Sequence, residues 1–123
     1  MTERVARLSN AATATILSGA SVSDAIDCRE FSITGLVIPA AWTAAAITFL
    51  ASTSPSGTFG SVYDDAGTEV TVASAAVVAG RVVVNKSVLQ QLSGIRWLKI
   101  RSGVVALAVN QAADRLITVL MQS

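Results

Sequence analysis

Residues 59–73 read Phe59-Gly-Ser-Val-Tyr-Asp-Asp-Ala-Gly-Thr-Glu-Val-Thr-Val-Ala73, and this stretch decides the fold class. In its second half, Val70 and Val72 alternate with Glu69 and Thr71. That is the two-residue period of a strand with one apolar and one polar face. In its first half, Phe59, Ser61 and Tyr63 stand opposite Gly60 and Val62. Between them, Asp64-Asp65-Ala66-Gly67 has the composition of a hairpin loop, with Gly67 placed to take a positive φ. A strand, a tight loop and a second strand leave no room for a helix here.

The same texture continues in both directions. Upstream, residues 12–18 (ATATILS) are rich in Thr and β-branched side chains and stop at Gly19. Residues 28–38 (CREFSITGLVI) place Phe31 and Ile33 in alternation and end before Pro39. Residues 42–51 (WTAAAITFLA) fit helix or strand by pattern, and Ile47, Thr48 and Phe49 tip them to strand. Ser52-Thr-Ser-Pro-Ser-Gly57 is a turn cluster.

Downstream, residues 80–84 (GRVVV) read as a strand. Residues 87–94 read as one helical turn, capped by Ser87 and ended by Gly94. Residues 95–101 (IRWLKIR) read as a strand closed by Ser102-Gly103, and residues 105–109 as a short strand or a loop. In residues 115–122, Leu116, Thr118 and Leu120 alternate with Ile117, Val119 and Met121. About eight strands with little helix between them predict an all-β, single-domain antiparallel β-sandwich of jelly-roll-like type. The sandwich is expected over residues 11–123, with residues 1–10, polar and mixed in charge, as an N-terminal arm.

Composition narrows the function. The chain has 123 residues, one domain's worth. Nine Lys/Arg against eight Asp/Glu give a net charge of +1, which offers no electrostatic footprint for nucleic acid or an anionic membrane. The most apolar run, residues 36–51, contains Pro39, Thr43 and Thr48 and falls short of the roughly 18 apolar residues of a membrane helix. No apolar stretch follows the basic residues of the N-terminus, so no signal peptide is expected. Mean hydropathy is +0.60. With charged residues at only 14%, much of the surface must be neutral Ala, Val, Ser and Thr. Such surfaces suit burial against other subunits.

The chemistry of catalysis is sparse. Histidine is absent, which removes Ser-His-Asp and Cys-His mechanisms and the commonest zinc ligand. Cys28 is the only cysteine, so no intrachain disulfide can form, and it reads as a small core residue. Asp24 with Asp27, and Asp64 with Asp65, are the nearest approach to a glycosidase carboxylate pair. Asp64 and Asp65, however, sit where a turn uses Asp for its own backbone hydrogen bonds. Neither pair supplies enough oxygen ligands for calcium, and no phosphate-binding glycine loop occurs. The reading is of a non-enzyme with no cofactor and no metal. The candidate ligand or interface residues are Trp97, Lys99 and Arg101, which alternation places on one outer strand face, and Trp42 at a strand entrance.

Several stretches taken together resemble a known group. They are Phe31-Ser-Ile-Thr-Gly-Leu-Val-Ile-Pro-Ala-Ala-Trp42, Ala46-Ile-Thr-Phe49-Leu-Ala-Ser52, Gly57-Thr-Phe59-Gly-Ser-Val-Tyr63-Asp-Asp-Ala-Gly67 and Arg96-Trp97-Leu98-Lys99-Ile100-Arg101-Ser102-Gly103. From Phe31 onward the pattern resembles small structural proteins of tailed-phage and gene-transfer-agent particles. The middle also resembles the discoidin, or galactose-binding, jelly roll, without the aromatic and basic loop set those modules use for sugars. The resemblance implies a virion structural protein assembled in the host cytoplasm: capsid decoration, head-spike base, or a neck or tail piece. It implies other virion proteins and further copies of the chain as partners, with neither nucleic acid nor membrane among them. A carbohydrate-binding adsorption module of the sandwich type is the alternative.

Overall fold

The structure, a computed structural model, describes residues 9–29, 31–84 and 86–122. Among the described residues, ten strands form two antiparallel sheets. The first has the order β1 (Ser9–Ile16), β10 (Arg115–Gln122), β3 (Ser32–Val37), β7 (Val82–Val83). The second runs β2 (Ile26–Asp27), β8 (Trp97–Val104), β4 (Ile47–Ser52), β5 (Gly60–Ser61). Two short strands extend it: β6 (Thr71–Val72) pairs with β4 beside β5, and β9 (Leu107–Ala108) pairs with the end of β8.

The pairing is nested. β1 lies beside β10, β2 beside β8, β3 beside β7 and β4 beside β5, and from β1 to β4 each strand crosses to the other sheet. One long antiparallel ribbon is thus rolled into two layers, which is the jelly-roll winding the strand pattern predicts. The layers close on a core drawn from both inner faces. Ala14, Ile16, Leu36, Ile117, Val119 and Met121 come from the first sheet. Ile47, Phe49, Val72, Leu98 and Ile100 come from the second. Each alternates with an outward neighbour along its strand.

Several boundaries differ from the sequence reading. β1 starts at Ser9, inside the stretch assigned to the arm, and residues 1–8 lie outside the described residues. Residues 28–38 are not one strand. β2 ends at Asp27, a corner follows, and β3 begins in the other sheet. At that corner Arg29 takes φ +46° while its N–H and Nε donate to Asp27. Residues 42–46 form a loop before β4, because Thr43 is held by Gln111 instead of by a neighbouring strand. β8 does not stop at Ser102 but runs through Gly103 (φ +95°) into the β9 hairpin. Lys86–Leu89 is a single α-turn (α1) followed by a 3-10 turn at Gln90–Leu92, so Ser87 lies within the helical turn and does not cap it. Gly94, at φ +87°, follows its end as expected.

Candidate functional site

The jelly roll leaves two broad outer faces, and they differ in chemistry. The outer face of the second sheet carries three of the four residues singled out by sequence. Alternation along β8 turns Leu98, Ile100 and Ser102 inward and Trp97, Lys99 and Arg101 outward. Across the sheet Trp97 pairs with Asp27 and Ser52, and Lys99 with Leu50.

Arg101 lies on the outer face as expected, but it does not present its charge to solvent. It is 7% exposed. Its Nε donates to Thr48 Oγ1 and its Nη2 to Ser61 Oγ, and the same nitrogen closes an ion pair with Glu69. Glu69 uses its other oxygen to accept from the Val105 N–H. Arg101 therefore ties β8, β4, β5 and the β9 hairpin together. Glu69 stands beside Tyr63 across the hairpin of residues 59–73, with Gly67 at φ +81° in its loop.

Trp97 and Lys99 are half-buried, and the Phe59 and Trp97 rings each have a cation over them. Lys99 Nζ lies 4.5 Å from the centre of the Phe59 ring, and Arg96 Cζ lies 5.4 Å from that of Trp97. Arg96 is held in turn by Asp27, at 3.1 Å from its Nε and 3.3 Å from its Nη2. The Arg96 hydrogen bond is the main reason that the Asp27 carboxyl lies below its ordinary value. Beside this cluster, Ser52, Thr53, Gly94 and Ile95 help line a shallow open hollow of about 410 Å³.

Trp42 is not part of this group. Ser52, opposite Trp97, ends β4, while Trp42 precedes the other end, which begins at Ile47 opposite Ser102. Five residues of strand separate those ends by ~17 Å. Trp42 packs against the core edge and its Nε1–H donates to the Ala45 carbonyl.

The acids have local work. Asp24 accepts from the Thr15 N–H, and Asp64 from the N–H groups of Ala66 and Thr68. Cys28 is 2% exposed, and burial, with the Asp27 charge, pushes its thiol up to about 11, so almost none is thiolate at neutral pH. Among the described residues no group of three or more Asp, Glu or Cys side chains converges as metal ligands. No helix of the described residues is long and apolar enough to cross a membrane.

The outer face of the first sheet was not singled out by the sequence. Its outward positions are Ala11, Thr13 and Thr15 on β1, then Leu116, Thr118 and Leu120 on β10. Val37 of β3 stands beside Thr118 and Val82 of β7 beside Val37, completing a row of four strands. None of these positions is charged. Leu17, Val82, Val84 and Leu116 on or beside this face are each more than half exposed. The four strands, of eight, eight, six and two residues, give a footprint on the order of 400 Å². A continuous neutral face of that size lies within the range of the largest low-polarity patches on monomers, which often serve function. Each strand's alternation is visible in sequence; that four outward rows adjoin and all lack charge follows only from the strand order.

Comparison with protein-family models, with curated proteins and with solved structures finds no match to this chain.

Proposed function

We propose that the chain is a non-enzymatic structural subunit of a virion, placed as capsid decoration or as the base of a head spike, with a neck or tail position as the variant of the same role. The observation that carries this reading is the uncharged outer face of the first sheet, with Leu116 and Val82 half exposed on it. A neutral face of this breadth supports permanent burial against a neighbour. The jelly roll supports the reading at the level of architecture, since this winding recurs in viral shells, although it also builds lectins and cupins. The residues fit the alternatives less well. The chain lacks the histidines of a cupin metal site, and its clustered acids are used in turns and strand contacts. The test is incorporation. A Leu116→Lys, Val82→Lys variant should keep its β-sheet circular dichroism and be lost from particles that retain the wild-type chain. A variant retained at wild-type level would remove the role of this face.

A carbohydrate-binding adsorption module is the second reading, favoured by Trp97, Phe59 and Lys99 beside the open hollow. Arg96 over the Trp97 ring would have to swing aside for a sugar to stack there. Saturable glycan binding lost in Trp97→Ala but kept in Trp42→Ala supports it; absence of quenching of Trp fluorescence across a glycan panel counts against it.

A further inference from the structure

The four sheet edges are not alike. β7, β2 and β5 are two-residue strands, short enough that little backbone is left unpaired. β1 is eight residues long, and from Asn10 to Ile16 it holds neither charge nor proline. Long neutral edges are what folded proteins normally avoid, because they template pairing with another chain.

The geometry shows which part of this edge is open. Thr15 turns its N–H and C=O away from β10: its N–H donates to the Asp24 carboxylate at 2.8 Å, and its carbonyl accepts from the Asp24 N–H at 3.3 Å. In an antiparallel strand every second residue points its hydrogen-bonding groups to the same side. Ser9, Ala11 and Thr13 therefore point their backbone groups outward as Thr15 does, while Asn10, Ala12, Ala14 and Ile16 bond to β10. Asp24 plugs the Thr15 end; among the described residues no hydrogen bond reaches the outward groups of Ala11 or Thr13.

We infer that this open edge is a self-association site, at which β1 pairs antiparallel with β1 of a second copy. The occupant is a second copy because the edge is self-complementary. One two-fold register engages Ala11 and Thr13 and leaves Thr15 to Asp24: Ala11 opposite Ala11, and Thr13 opposite Ser9. The pairing joins two four-stranded sheets into one of eight strands and makes the two uncharged faces continuous. The inference rests on the assembly reading for its purpose but not for its test, which uses the isolated chain.

The experiment combines the solution mass of the wild-type chain with disulfide trapping in oxidised glutathione. Opposed Ala11 residues place their Cα atoms ~5.5 Å apart. That lies inside the window of about 4.4–6.8 Å for a disulfide. Two Thr13 residues are separated by about 14 Å in the same register. Ala11→Cys should form a covalent dimer and Thr13→Cys should not. Buried Cys28, with its thiol pushed up to about 11, contributes no background. Hydrogen exchange of the wild-type chain needs no variant: the Ala11 and Thr13 amides should be protected at concentrations where the mass is that of a dimer and exposed on dilution. A monomeric mass at every concentration, equal trapping at Thr13, or protection of these amides in the monomer would each overturn the inference. Failure of particle incorporation with dimerisation intact would remove the virion reading alone.

Discussion

At the scale of single residues, Arg101 shows how a strand position can be assigned to the right face while its environment stays hidden. The two-residue period puts it outward with Trp97 and Lys99. What the period cannot show is that the hairpin of residues 59–73 folds over that face and lays Glu69 on the guanidinium. Both side chains are about a tenth exposed. Removing one partner of so enclosed a pair strands the other, at a cost of about 3 kcal/mol. Arg101→Met should lower unfolding free energy by that order in urea, and Arg101→Met with Glu69→Leu should recover much of it. Two equally mild variants would contradict the tie. Asp27 gives a pH dependence. Its folded value lies below the ordinary 3.8, chiefly through the Arg96 hydrogen bond. The contribution of its carboxylate is therefore complete above that ordinary value and is lost as pH falls through the lower, folded one. The stability gap between wild type and Asp27→Asn should be flat from neutral pH down to mildly acid conditions and close only in stronger acid, read by urea midpoints across pH.

At the scale of elements, the long strands were legible and the corners were not. β1, β8 and β10 carry apolar alternation over many residues, which few other structures produce. Asp64 and Gly67 announce their turn because their side-chain chemistry and backbone freedom serve it directly. The corner between β2 and β3 announces nothing. It is built on Arg29 at φ +46°, a conformation that glycine adopts far more readily, held by Asp27. Two-residue strands such as β2 and β7 are too short to show a period. Gly103 misled the reading in the opposite direction, ending a strand that in fact bends and continues. There φ is +95°, and a Cβ would stand 2.5 Å from the Leu107 carbonyl oxygen and 2.7 Å from the Val109 nitrogen. Gly103→Ala should therefore open the β8–β9 hairpin and cost about 1–3 kcal/mol, since backbone cannot yield as a flexible side chain can. Proline separates the two sides of β1. Ala12→Pro removes a hydrogen bond to β10 and should destabilise by roughly 3 kcal/mol, whereas Thr13→Pro, whose N–H faces outward, should leave the melting temperature of the monomer within a few degrees.

At the scale of the whole molecule, two different faces lie on opposite sides of one core. The second sheet presents cations, an aspartate and aromatic rings that satisfy one another, together with an Arg101–Glu69 tie. The first presents Ala, Thr, Val and Leu with no charge. A sandwich class was readable from the number and spacing of strands, and low charge gave notice of neutral surface, but composition cannot say where that surface gathers. Only the nested strand order brings the outward rows of β1, β10, β3 and β7 together. That asymmetry underlies the account of a subunit with one face buried against neighbours and the other turned away. The most direct test is quantitative mass spectrometry of particles purified from the source of the chain, scaled to the major shell protein. The account predicts a fixed ratio: near-stoichiometric for surface decoration, a small constant fraction for a spike base at the vertices, a handful of copies for a neck or tail. Absence of the chain from particles whose other components are all recovered would contradict it and leave the glycan-binding reading to be tested at Trp97.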